Sequence, residues 1–277
     1  MGTDAFCDKS ADKRGADMEL CFEAACGSNK GMYRRENEDN VFFGGFILPE
    51  SHQDMDTLSG SITMTPDEER AFSVAVFDGM GGRADGQTAS YVAAKVFQKC
   101  LDHGCGSEGI PAFLSASVQA MNKAVADNAD HSNTGMGTTA VILCFSGETC
   151  TVCNVGDSKA FLLRGGELTQ LSFDHTDALT LQSLGVVGRK PRLTQYIGMR
   201  EEDAVPEPFL AEKTVFPGDR YLICSDGVTD IFGTFELTAF LRDNPNPAAA
   251  VDELIHSALN RDGKDNITAI MVWVSGT

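Results

Sequence analysis

The sequence predicts two antiparallel sheets packed face to face with helices on their outer faces, an α+β fold of four-layer α/β/β/α sandwich type. Three observations predict it. Between residues 138 and 171 the period is two, in short runs that follow one another directly, so neighbouring strands pair antiparallel. The Gly165-Gly166 pair between two of these runs is a hairpin signal. Two stretches of helical period lie early in the chain and two late, which places helices outside a pair of stacked sheets.

The elements follow in order. Residues 1–17 read as a disordered polar tail, and 18–277 as a single domain. MELCFEAACG (18–27) is a first strand and NVFFGGFIL (40–48) a second. Residues 49–69 are polar and rich in turn formers, and are expected to be a surface loop. AFSVAVFD (71–78) is apolar on both faces, hence a central strand. In the next segment Ala89, Val92, Ala93, Val96, Phe97 and Leu101 share one helical face. A second helix starts near Pro111, a residue suited to a first turn, with Leu114, Val118, Met121 and Val125 on its stripe. Strands are expected at 138–145, 149–155, 159–164, 167–171, 220–226 and 265–274, and helices at 234–243 and 248–260.

Composition limits the function. The formal net charge is −18, from 40 acidic against 22 basic residues, which argues against nucleic acid or a membrane surface as partner and is compatible with hard cations. No apolar run approaches the length of a membrane span, and the N-terminus lacks an apolar signal core. Nine cysteines at irregular spacing read as reduced core residues of a cytoplasmic protein. Cys150 and Cys153 have C-x-x-C spacing, but on a strand they face opposite sides, so core packing is the expected role.

Four aspartates sit where a strand meets a Gly or Asn turn. Asp78 ends VAVFD before Gly79, Asp226 ends YLICSD before Gly227, Asp265 precedes Asn266, and Asp157 follows CNVG. Oxygen ligands on a rigid scaffold suit Mg²⁺ or Mn²⁺, whereas converging carboxylates without a cation repel one another. Asp-Gly is also among the commonest turn dipeptides. Of Asp78-Gly79, Asp85-Gly86, Asp226-Gly227 and Asp262-Gly263, the apolar strand before Asp78 and Asp226 favours those two as ligands. In GMYRRENEDN (31–40), Arg34 could clamp a phosphate with Glu38 and Asp39 nearby; taken alone, a charged loop with local ion pairs is the simpler reading.

Six motifs stand in order: R-x-x-N-E-D (34–39), V-F-D-G-M-G-G (76–82), G-T-T-A (137–140), V-G-D-S (155–158), S-D-G (225–227) and D-G-K-D-N-I-T (262–268). Together they resemble the metal-dependent serine/threonine protein phosphatases of type 2C, the PPM family, in compact bacterial form. The resemblance implies a β-sandwich flanked by helix pairs. It also implies hydrolysis of phosphoserine and phosphothreonine in proteins by a hydroxide bridging two Mn²⁺ or Mg²⁺ ions. Asp78 resembles the carboxylate bridging the metals, and the Gly79 carbonyl a ligand of the second metal. Asp226 and Asp265 match ligands of the first, and Glu38 and Asp39 an acidic pair at the second. Asp157 matches the residue that, with Asp226, holds a weaker third metal. Arg34 matches the phosphate-contacting arginine, while Thr138 and Thr139 match supporting positions. Some family members carry a His just after the Asp-Gly; here Met80 stands there, and Arg83 follows the last Gly. The segment between Asp174-His175-Thr176 and residue 193 is shorter than the family's usual flap.

The implied partners are phosphorylated proteins, products of a serine/threonine kinase, met by a cytoplasmic monomer. Two other readings stand beside this one: a non-catalytic phosphoprotein-binding regulator and a phosphatase of small metabolites. Asp78, Asp226 and Asp265 are all present, which weighs against the first. The short flap keeps the second open.

Overall fold

The computed structural model describes residues 19–64, 71–81, 85–104, 108–132, 135–200, 202 and 204–276. The expected tail at 1–17, Arg83 and the end of the 49–69 segment lie outside the described residues. The elements are β1 (Leu20–Asn29), β2 (Asp39–Phe43), β3 (Phe46–Ile47), β4 (Met55–Met64), β5 (Ala71–Met80), α1 (Asp85–His103), α2 (Ile110–Ser132), β6 (Gly137–Thr138), β7 (Ala140–Ser146), β8 (Thr149–Val155), β9 (Lys159–Arg164), β10 (Glu167–Gln170), α3 (Ala178–Ser183), β11 (Phe209–Thr214), β12 (Arg220–Cys224), α4 (Asp226–Thr229), α5 (Thr234–Asp243), α6 (Pro247–Arg261) and β13 (Ile267–Gly276).

Both sheets are antiparallel. One runs β10-β9-β12-β13-β1-β4; the other runs β11-β8-β7-β5-β2-β3, with β6 beside β5. Their facing sides share a core that includes Phe22, Val76, Phe145, Leu162, Tyr221 and Ile270. Phe145 bridges the layers, its ring centroid 4.9 Å from that of Phe22 and 5.2 Å from that of Tyr221. Each such buried side chain contributes about 1.5–3 kcal/mol through removal from water. A second core joins α5 and α6 to the outer face of the first sheet, and a third joins α1 and α2 to the outer face of the second. The result is the expected four-layer α/β/β/α arrangement.

Period two accounts for these layers. On β8, Cys150 and Val152 enter the core between the sheets, while Cys153 and Val155 enter the core under α1 and α2. The C-x-x-C pair is thus divided between two cores, and both thiols are free. Local signals set the helix starts. Asn246 caps α6, its side chain accepting from Ala249 N at 2.8 Å, with Pro247 in the first turn. At α5 the Glu236 carboxylate reaches back to Gly233 N at 3.2 Å. Among the described residues no helix is long and apolar enough to cross a membrane.

Several expectations are corrected. Most of the described part of the 49–69 segment, residues 49–64, is not a surface loop: residues 55–64 form β4, an edge strand paired to β1 from Leu20↔Met64 to Ser28↔Met55. Met55, Leu58 and Ile62 pack on the central core, while the other face carries Thr57, Ser59 and Ser61, so composition alone reads as loop. The 40–48 strand is two strands, broken at Gly44-Gly45, where φ is +57° and +88° and the chain reverses. Asp78 does not end its strand, because β5 runs on to Met80 against β6. Asp226 opens α4 rather than closing β12. β11 had no expectation and pairs with β8 at an edge of its sheet.

Candidate metal and phosphate site

The expected aspartates come from both sheets. β2 and β5 pair with Asp39 directly opposite Asp78. Asp226 starts α4 just beyond β12, Asp265 lies two residues before β13, and Asp157 sits in the turn from β8 to β9. Like charges directly opposite on antiparallel strands are destabilising, yet Asp39 is fully buried. Its Oδ2 accepts from Ser225 Oγ at 2.8 Å, and its buried Oδ1 has no hydrogen-bond partner. Burial pushes the Asp39 carboxyl up to about 7, and the charges of Asp265 and Asp226 add to the rise.

Asp78 is held well above the usual carboxylate range. Burial is the largest cause, followed by the charges of Asp39, Asp226, Asp157 and Asp265. Those four neighbours are the residues the sequence singled out. Burial also raises Asp157 to about 6, with Asp226 adding and Lys159 and Lys190 opposing. Asp226 is raised by burial against Lys190. Glu38 is raised by burial against Arg34.

Close backbone approaches build the cluster. A Cβ on Gly79 would lie 2.2 Å from Gly86 O and 2.3 Å from Glu38 O, so only glycine lets β5 pass between α1 and the 34–38 loop. A Cβ on Gly227 would lie 2.0 Å from Asn266 O, so glycine there lets α4 sit against the turn that carries Asp265. Asn266 ties that turn to the arginine loop: its Oδ1 accepts from Glu38 N at 2.9 Å, and its Nδ2 donates to Lys30 O and Glu36 O. Thr138 and Thr139 hold the Asp78 backbone. Asp78 O accepts from Thr139 N at 2.9 Å and Thr138 Oγ1 at 3.0 Å, and Asp78 N donates to Thr139 Oγ1. His175 fixes the turn beside Asp157: its Nδ1 accepts from Gly156 N at 3.2 Å, and its own N–H donates to Gly156 O.

Two cations lie on the acidic cluster. Arg34 donates to Asp265 Oδ2 at 2.6 Å and to Glu38 Oε2 at 3.3 Å. The Glu38 contact is the local ion pair expected of a charged loop, and the Asp265 contact, 231 positions away in sequence, adds a partner that the local reading did not contain. Lys190 donates to Asp226 Oδ2 and to Asp230 Oδ2, each at 2.7 Å. With these carboxylates so engaged, no three Asp, Glu, His or Cys side chains form a finished ligand cage among the described residues. Lys190, Asp230, Ser225 and Asn266 belong to the site and were not singled out from the sequence as ligands or partners. Ser225 and Asn266 stood inside quoted motifs. Lys190 had no local signal.

The donor set is all oxygen, contains no histidine, and leaves a buried carboxylate oxygen without a partner. It fits hard divalent cations. Fold and site together define a β-sandwich with an acidic centre where the two sheets meet, flanked by an arginine suited to phosphate. The chain belongs to the protein phosphatase 2C family, whose profile matches residues 56–270. It is 31% identical over 266 residues to the serine/threonine protein phosphatase PstP of Mycobacterium tuberculosis, covering 94% of this chain and 46% of that protein. It is 28% identical over 261 residues to the serine/threonine phosphatase stp of Listeria monocytogenes, covering 88% and 93%. The chain thus spans about half the length of the Mycobacterium relative and nearly all of the Listeria one. The crystal structure of M. tuberculosis PstP superposes with a TM-score of 0.71 at 30% identity, over 92% of this chain and 99% of that one. The PstP catalytic domain in complex with two manganese ions superposes with a TM-score of 0.70 at 30% identity, over the same shares.

Proposed function

We propose that this chain is a metal-dependent protein phosphatase that removes phosphate from phosphoserine and phosphothreonine. The observation that carries the reading is the opposed Asp39–Asp78 pair, in which Asp39 is fully buried with one carboxylate oxygen unpartnered and Asp78 is half-buried. Two such charges need a cation between or beside them. Similarity to a PstP domain that holds two manganese ions supports Mn²⁺ or Mg²⁺ as that cation. Asp78, the Gly79 carbonyl, Asp226, Asp265, Glu38 and Asp39 would hold two ions, and Asp157 with Asp226 a weaker third.

Bound ions of this kind acidify water and neutralise phosphoryl charge. The chain's own part is positional. Thr138, Thr139 and Gly79 fix Asp78. Asn266 fixes the turn that presents Asp265. Arg34, half exposed at the rim, exchanges its carboxylate partners for phosphoryl oxygens, which match its planar fork. Asp78 and Arg34 are the residues expected to matter most to turnover. The reading extends to one catalytic domain from residue 18 onward, acting as a cytoplasmic monomer on the products of a serine/threonine kinase. Cys21, Cys26, Cys100, Cys150, Cys153 and Cys224 are free thiols, which supports a reducing compartment.

The test is a panel of phosphoserine and phosphothreonine peptides and small phosphate esters, assayed with Mn²⁺ and with chelator. We expect peptide hydrolysis that needs the metal. Full activity after exhaustive chelation, or hydrolysis of the small esters alone, overturns the reading.

A further inference from the structure

The segment from Leu184 to Arg192 carries Lys190 over α4. Its base is fastened by the backbone: Asp177 N donates to Arg192 O at 2.9 Å, Arg192 N donates to Asp177 Oδ1 at 2.7 Å, and Thr176 bridges Leu193. Its tip has no such support. Residues 182–192 are all exposed, and Val187 is 95% exposed, so apolar packing does not hold the tip down. Among the described residues, the contacts that tie the tip to α4 are the two from Lys190 to Asp226 and Asp230, while Arg189 pairs back to Asp177 at the segment's own base at 3.6 Å.

Those two acceptors form a pair in their own right. Asp226 and Asp230 stand four residues apart on and just after α4, on one face, where like charges repel. The Lys190 charge also reaches Asp157 and opposes the rise of its carboxyl. Three carboxylates thus share one ammonium, delivered by a loop whose other contacts, Arg189 to Asp177 and the 184–186 amides to the end of α3, lie at its own base.

We propose that Lys190 is a tethered counter-ion, a positioning residue that occupies the outer side of the acidic centre and must leave when a divalent cation takes Asp226 and Asp230. Docking of the 184–192 segment and cation binding on that side are then alternatives. Metal uptake frees the segment, and metal loss closes it over α4. The inference rests on the reading of Asp226 as a metal ligand.

The test is a Mn²⁺ titration of the full chain, following free Mn²⁺ by its paramagnetic resonance, for the wild type, Lys190→Met and Lys190→Arg. Lys190 is 58% exposed, so solvent screens its ion pairs and the expected change is moderate. Removing them should tighten the most weakly bound Mn²⁺ about three- to tenfold in Lys190→Met. Lys190→Arg keeps the charge and should stay close to the wild type. Hydrogen exchange supplies a second readout. The 184–192 amides should exchange faster in the wild type once Mn²⁺ is added, and fast with or without it in Lys190→Met. Superimposed isotherms for wild type and Lys190→Met, or weaker Mn²⁺ binding in the variant, overturn the Lys190 assignment and leave the metal centre standing. No Mn²⁺ uptake by any of the three overturns both.

Discussion

Strand β12 lies between two buried carboxylates that the fold treats in opposite ways. Asp219, just before its first residue, is 1% exposed and fully partnered. It accepts from Arg164 Nε and Nη2, each at 2.7 Å, from Phe216 N at 2.9 Å and from Tyr221 Oη at 3.2 Å. Asp39, which meets the far end of β12 through Ser225, is equally buried. It has a bare Oδ1, faces another aspartate, and has a carboxyl pushed up to about 7 by burial first. A buried charge costs several kcal/mol unless it is paired and hydrogen-bonded. At Asp219 the fold meets that requirement from its own side chains. At Asp39 and Asp78 it does not, and a ligand must. The contrast separates a carboxylate that holds the structure together from carboxylates that the structure holds for something else.

The comparison can be broken at either end, and the largest effect is expected at Asp219. Asp219→Ala strands the buried Tyr221 hydroxyl and the Arg164 guanidinium. It should lower unfolding free energy by about 3 kcal/mol in denaturant titrations, with kcat nearly unchanged well below the melting temperature. A large loss of kcat with unchanged stability would reverse the roles assigned to the two ends. Next come Asp226→Asn and Asp265→Asn, which should each lower kcat about 10²-fold or more by removing charge from the metal centre while the fold survives. Unchanged kinetics together with unchanged metal binding in both variants would remove these residues from the ligand set.

Arg34 tests the rim of the same centre. Arg34→Ala removes a charge-assisted contact of roughly 1.5–3 kcal/mol, so inhibition by inorganic phosphate should weaken about tenfold or more while metal affinity stays nearly constant. An unaltered phosphate inhibition constant would leave Arg34 as the partner of Asp265 and nothing more. The smallest expected effect sharpens the comparison most. In chelator, Asp39→Asn should stabilise the protein by about 1 kcal/mol, because it removes one of two opposed like charges. That corresponds to a rise of about 2–4 °C in melting temperature for a chain of this size. With Mn²⁺ present the sign should reverse, since the variant loses a metal ligand. A melting temperature that falls in chelator would show that Asp39 is satisfied by the fold after all.

Strong periodicity made much of this legible. The period-two runs of β7, β8 and β9 and the apolar stripe of α6 were read within a residue or two of their ends, as was the start of α2. The edge strands β4 and β11 were not, although β10, also at an edge, was. β4 and β11 bury one face at most, and residues such as Thr57, Ser59 and Ser61 or Glu212 and Lys213 hide the alternation. In the site, Asp78, Asp226, Asp265 and Asp157 stood out because each lies beside a buried strand and a turn. Local pattern did not bring them together, because residues 39, 78, 157, 226 and 265 come from five separate stretches of chain; only the family resemblance implied their meeting.

The sequence by itself determined which segments become strands and helices, because local periodicity decides which face of each can leave water. It determined the stock of carboxylates and the glycines that follow two of them, and their order was enough to indicate the family. Only the tertiary structure decided the pairings. These are the register that sets Asp39 against Asp78, the hydroxyl of Ser225 on Asp39, the clasp of Asn266 and the reach of Lys190 to α4. The physical reason is range. Periodicity acts over a few residues, whereas charge repulsion, hydrogen bonding and close backbone approach at this centre join residues tens to hundreds of positions apart, and they arise only once the two sheets have packed.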